Sequence, residues 1–122
     1  MPITIEVKGL SRRRPAPVVE IELFRIAQEG LSNILKHAHA TLARIRLSFG
    51  SLNLMLEIED DGIGFDVDAI SNDHISTKNL GLLGMKERAE ICGGKLSIFS
   101  SQGHGTKIIT TIPIASYDWG TY

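Results

Sequence analysis

At 122 residues, 43% hydrophobic and 22% charged, the chain has the composition of one soluble globular domain and can bury a core without staples. A formal net charge of -1 excludes the basic surface that nucleic acid or an anionic membrane requires, and Arg12-Arg13-Arg14 is too short a run to supply one. The single cysteine, Cys92, rules out an internal disulfide or a cysteine-only zinc site and fits a reducing compartment. No apolar run approaches the roughly 20 residues of a membrane span, and Met1-Pro2-Ile3 does not open a signal peptide.

Ile3, Ile5 and Val7 alternate with Thr4, Glu6 and Lys8, which predicts a half-buried strand ending at Gly9. Ser11 to Pro17 connects into a long helix beginning near Val18, where proline is tolerated because its missing N–H would have been unsatisfied. On that helix Glu29, Asn33, Lys36 and His37 are expected to share one polar stripe, opposite an apolar side of Phe24, Ala27, Leu31, Ile34, Leu35 and Ala38. Such a stripe, taken alone, reads as an ordinary solvated face. Gly30 inside the helix costs about 1 kcal/mol relative to alanine and needs a reason.

Ile45, Leu47 and Phe49, a turn at Gly50-Ser51, and then Leu52, Leu54, Leu56 and Ile58 predict an antiparallel hairpin with one buried face that carries Asp60 at a strand end. Asp66 to Asn79 is polar and loses its period apart from a short turn at Val67 to Ile70, the pattern of a lid or a disordered loop. Leu83, Met85, Ala89 and Ile91 predict a second helix stopped by Gly93-Gly94. Leu96, Ile98 and Phe99, a turn from Ser100 to Gly105, and Lys107 to Ile114 form a last hairpin, and Ser116 to Tyr122 carries no readable motif. The order predicts an α+β fold, a two-layer α/β sandwich with helices on one face of a mixed, mostly antiparallel sheet, spanning residues 1–115 with a tail at 116–122.

Three glycine-bearing segments come after the Glu29…Asn33 helix: Asp60-Asp61-Gly62-Ile63-Gly64-Phe65, Leu80-Gly81-Leu82-Leu83-Gly84-Met85 and Gly103-His104-Gly105-Thr106. Each is weak alone. In this order and spacing, from Ile3 to about Ile114, the sequence resembles the ATP-binding catalytic domain of two-component sensor histidine kinases, within the gyrase, heat-shock chaperone, histidine kinase and MutL superfamily. Arg25-Ile26-Ala27-Gln28-Glu29, Lys36-His37-Ala38 and Gly84-Met85-Lys86-Glu87-Arg88 are most similar to the subfamily that partners helix-turn-helix response regulators. The resemblance implies the Bergerat-type fold, with ATP held between helices and lid, and a cytoplasmic domain whose parent could be anchored in a membrane.

It also implies roles for individual residues. Asn33 matches the magnesium ligand, and a neutral amide oxygen is enough protein for a cation that prefers oxygen and keeps its waters. Lys36 and His37 match positions beside the phosphates, where an ammonium acts as a point charge. Glu29 has two readings: a general base for an acceptor imidazole, or a carboxylate that only steadies Lys36 or the hydrated magnesium. Asp60 matches the aspartate that accepts from the adenine amino group, and an acceptor-only carboxylate selects adenine over guanine. Asp61 reads as a turn residue. Gly62 and Gly64 let the backbone approach the base. Gly81 and Gly84, with Leu82 between them, mark the start of the second helix, where free N–H groups favour a phosphate. Thr106 matches a threonine near the adenine that works through water. The family pattern has a small residue at Gly30, for close packing or nucleotide access, and another glycine where this chain has Asn79, which implies altered lid mobility.

The function implied is transfer of the γ-phosphoryl of Mg-ATP to a histidine on a separate dimerisation and histidine-phosphotransfer domain, upstream of a response regulator. An isolated domain of this kind is expected to be monomeric, with no nucleic-acid partner and no direct membrane contact. His37, His39, His74 and His104 each lack the adjoining acidic residue that marks the phosphoacceptor helix, so the chain is expected to bind ATP without labelling itself. The alternatives are a stand-alone kinase resembling anti-sigma-factor serine kinases, and a nucleotide-gated binding module without phosphotransfer.

Overall fold

The computed structural model describes residues 1–9, 13–68, 81–113 and 120–121. In chain order the elements are β1 (Ile3–Lys8), β2 (Arg13–Arg14), α1 (Pro17–Asn33), a π-helical turn (Ile34–Ala38), β3 (Ala43–Phe49), β4 (Asn53–Asp60), α2 (Leu82–Ile91), β5 (Lys95–Ser100), β6 (Thr106–Pro113) and β7 (Gly120–Thr121). Five strands form one sheet in the order β1-β3-β4-β6-β5. β1 runs parallel to β3 and every other neighbouring pair in this sheet is antiparallel. The expected mixed, mostly antiparallel sheet with helices on one face is therefore what forms. β2 and β7 make a separate two-stranded pairing, Arg13 opposite Thr121, which two-residue strands are too short to announce in sequence.

The period of two in β4 buries Leu54, Leu56 and Ile58 on one face, where α1 lies across β4 and α2 across β5 and β6. Val19, Leu23 and Ile26 come down from α1, Ile34 from the π-helical turn, and Leu82, Met85, Ala89 and Cys92 from α2 and its end, to close the core with Ile108 and Ile112. Burying a side chain of this kind stabilises by about 1.5–3 kcal/mol, so this layer carries the fold. The β6 hydroxyl of Thr110 is fully buried in it without a hydrogen-bond partner.

Three apolar faces differ from expectation. On α1 and the π-helical turn, Phe24 and Leu35 are exposed and the buried stripe is Val19, Leu23, Ile26, Gly30 and Ile34. Gly30 lies on this inner stripe because a Cβ there would stand 2.7 Å from Ile58 Cδ1. That contact fits close packing as its reason. On α2, Leu83 and Ile91 are exposed, and Leu82 takes the inward place. β1 alternates as predicted, but Ile5 is 71% exposed and Val7 60%, because the helices cover β4, β5 and β6 and this edge strand lies beyond them.

The other face of the sheet is a lattice of charges. Arg46 sits between Glu6 at 3.0 Å and Glu57 at 3.4 Å, and Glu59 between Arg44 at 3.9 Å and Lys107 at 3.6 Å. The Glu59 pairs are open to solvent and contribute little each, at most about 1 kcal/mol, whereas Arg46 and Glu57 are partly buried. The expected lid, Asp66 to Asn79, lies outside the described residues from 69 onward, as do His74 and Asn79; before that, Asp66 Oδ1 accepts the Asp68 N–H at 3.0 Å where a helical turn begins. Of the tail, only the backbone pairing of β7 is described.

Candidate functional site

A cavity of about 50 Å³ lies where α1 ends above the ends of β4 and β6. Gly30, Asn33, Ile34, His37 and Ala38 form one wall, Ile58, Asp60, Thr106 and Ile108 the sheet side, and Ile63, Gly64, Phe65 and Leu82 the remainder. The walls are apolar with a few converging polar groups, Asn33, His37, Asp60 and Thr106, which is the composition of a small-molecule site.

Asp60 ends β4 with its side chain on the helix side of the sheet, 8% exposed. Its Oδ1 accepts the Gly62 N–H at 2.8 Å. Burial pushes its carboxyl above the usual aspartate range; the nearby Asp61 and Glu59 charges add to this, and the Gly62 bond opposes it. Asp61 points elsewhere. It accepts from the Thr41 hydroxyl and from the N–H groups of Thr41 and Leu42, which hold its carboxyl below the usual range. That makes it the expected turn residue.

The loop after Asp60 is held by backbone. Ile63 N–H donates to the Ala38 carbonyl at 2.8 Å, and Gly103 N–H to the Ile63 carbonyl at 2.6 Å. Phe65 N–H donates to Ser100 Oγ at 2.9 Å. Gly62 has no room for a side chain, since a Cβ would stand 2.1 Å from the Ala38 carbonyl oxygen. Gly64 combines a φ of 62° with an equally tight approach to the Ser101 carbonyl oxygen.

A second opening, a groove of about 720 Å³, runs between α1 and α2. Arg25, Gln28 and Glu29 face Gly81, Gly84, Met85 and Arg88 across it. The Glu29 carboxylate rests against Gly81, the N-cap of α2, where a Cβ would stand 2.5 Å from Glu29 Oε1. Arg88 bonds Glu22 at 3.0 Å and ties the two helices together.

The structure thus brings Asn33, His37, Asp60, Gly64, Leu82 and Thr106 around the cavity and sets Gly62 behind its loop. Glu29, Gly81 and Gly84 line the groove instead, and Lys36 is exposed and lines neither. The single polar stripe drawn through Glu29, Asn33, Lys36 and His37 does not persist: within α1 Glu29 faces the groove and Asn33, one turn on, the cavity, and in the π-helical turn after Asn33 His37 stays at the cavity while Lys36 leaves it. Gly81 as N-cap and Gly84 as third residue of α2 stand on either side of its start. Sequence reasoning missed Ser100 and the Ala38 carbonyl; a serine at a strand end reads as a turn, and a carbonyl leaves no trace in sequence.

Among the described residues no group of three His, Cys, Asp or Glu side chains could hold a metal ion. The described residues thus offer no cage of such side chains. One amide oxygen on the cavity wall fits a hard cation that arrives with phosphate oxygens and water as its other ligands.

A mixed sheet under two helices thus carries a buried acceptor, Asp60, at a strand end and an amide, Asn33, on the same cavity. Residues 18–116 match the family described as Histidine kinase-, DNA gyrase B-, and HSP90-like ATPase, and the chain belongs to that family. Similar proteins include the signal transduction histidine-protein kinase/phosphatase DegS of Bacillus subtilis (strain 168), 38% identical over 84% of this chain and 26% of its own length. The sensor histidine kinase YhcY of the same strain is 37% identical over 95% of this chain and 31% of its own. UhpB of Salmonella typhimurium, also a histidine-protein kinase/phosphatase, is 40% identical over 76% of this chain and 17% of its own. The histidine kinase domain of a blue-light activated kinase from Erythrobacter litoralis EL346 has a similar fold, with a TM-score of 0.72 at 25% identity over 93% of this chain and 55% of that one. The chain thus spans under a third of the length of these three sequence relatives.

Proposed function

We propose that this chain is the part of a sensor histidine kinase that binds Mg-ATP and presents its γ-phosphoryl to a histidine on a separate dimerisation domain, with a response regulator downstream and the cytoplasm as its compartment. The observation that carries this is Asp60, a buried acceptor at a strand end beside a glycine loop with no room for side chains, opposite the Asn33 amide. Asp60 accepts from the adenine amino group, while Gly62 and Gly64 let the loop beside it pack against the Ala38 and Ser101 carbonyls. Magnesium, when bound, neutralises charge on the triphosphate, and the Asn33 amide oxygen is the ligand this chain supplies. His37, at the cavity, and Lys36, beyond it, offer donors to the phosphates, and the N-terminus of α2 at Gly81 and Leu82 offers backbone N–H groups. Glu29 faces the open groove, where it can accept the proton of an imidazole presented from outside.

Titration with ATP and GTP tests the reading. ATP is expected to bind at least about 100-fold more tightly, because a site built around a hydrogen bond rejects an analogue that cannot make it, and Asp60→Asn is expected to abolish most of the difference. Equal affinities in the unaltered chain would overturn it. With γ-labelled ATP, acid-labile, base-stable phosphate is expected only on an added dimerisation domain.

A further inference from the structure

Asp60, Thr106 and Ser100 stand in one row across β4, β6 and β5, each directly opposite the next in strand register. The first two line the cavity and Ser100 does not, while all three line a separate opening. We propose that Ser100 is a positioning residue for purine selection, holding the Thr106 hydroxyl as a hydrogen-bond acceptor towards the cavity; this rests on the adenine reading above.

Counting hydrogens fixes the direction of each bond. A serine hydroxyl has one hydrogen and two lone pairs. Ser100 Oγ accepts the Phe65 N–H at 2.9 Å, lies 2.8 Å from the Gly105 carbonyl oxygen and 2.9 Å from Thr106 Oγ1. The carbonyl can only accept, so the Ser100 hydrogen points to it. With that hydrogen committed, the contact to Thr106 is favourable only if the Thr106 hydroxyl donates. Every bonding position on Ser100 is then used, and the Thr106 hydrogen is turned away from the cavity.

Thr106 therefore shows the purine only lone pairs, beside a carboxylate that also only accepts. The two N–H bonds of an adenine amino group match this wall in direct contact. A purine with a carbonyl at that ring carbon meets acceptors with an acceptor and is rejected. Without Ser100 the Thr106 hydroxyl can rotate and donate to that carbonyl, so adenine selectivity falls while the carboxylate stays in place.

Affinities of ADP and of IDP, which carries the carbonyl, test this on the full chain and on Ser100→Ala, Ser100→Thr, and Ser100→Ala combined with Thr106→Val. Ser100→Ala is expected to lower the ADP-over-IDP preference about fivefold, the size of one neutral hydrogen bond, and Ser100→Thr to keep it. In a Thr106→Val background, Ser100→Ala should change the preference no further. If Ser100→Ala weakens both nucleotides by the same factor, Ser100 is only a stitch between loop and strand and the proposal is overturned. Should that variant not fold, Ser100→Cys, of similar shape with a weakly bonding sulfur, gives the same reading: a lowered preference supports the proposal and an unchanged one overturns it. No preference in the unaltered chain overturns the adenine reading and this proposal with it. A preference that Ser100→Ala leaves intact overturns this proposal alone.

Discussion

The cavity and the groove meet at the first turn of α2 and share α1, yet they are made of different material. The loop side of the cavity is backbone: Gly62 lies against the Ala38 carbonyl and Gly64 against that of Ser101, with N–H groups of Ile63, Phe65 and Gly103 already bonded. The groove is lined by long side chains such as Arg25, Gln28 and Glu29, and by Gly84, around which nothing lies within 4 Å of a Cβ position. A flat ring of fixed shape can be met by a wall that does not yield.

Alanine at three glycines tests that contrast. The largest effect is expected at Gly64, where a side chain meets a carbonyl at 2.1 Å and the backbone is left-handed at once. Gly64→Ala should cost about 3 kcal/mol or more in chemical denaturation, and a loss under about 1 kcal/mol would show that the loop gives way. Gly81→Ala comes next. Its φ of 67° is unfavourable to alanine, but the obstacle is the end of a flexible Glu29 side chain, so roughly 1–2 kcal/mol is expected, and a cost equal to that at Gly64 would make the groove as rigid as the cavity. Gly84→Ala should reverse the sign and raise stability by about 0.5–1 kcal/mol, because it sits inside α2 with open space beside it. Destabilisation there would mean that the groove is filled.

Much of this was legible in the sequence. The period of two in residues 53–60 announced β4 and put Asp60 at its end, and the glycine segments located the loop and the α2 start. The phase of α1 was not legible, since Gly30 carries no hydropathy with which to mark the buried stripe and the π-helical turn rotates the residues beyond Asn33. The alternation of Ile3, Ile5 and Val7 gave a strand correctly but not its burial, which depends on where the helices lie. Ser100 was invisible because its importance is in three partners from other segments.

Cys92, buried at the end of α2, has its thiol pushed up to about 11 by burial first and by the Glu22 charge second. At neutral pH only roughly one molecule in ten thousand carries the thiolate that reagents attack. The native chain is therefore silent to thiol chemistry. A cysteine introduced anywhere on the surface can carry a dye or a spin label without competition, while slow modification of Cys92 itself counts the moments at which the core opens.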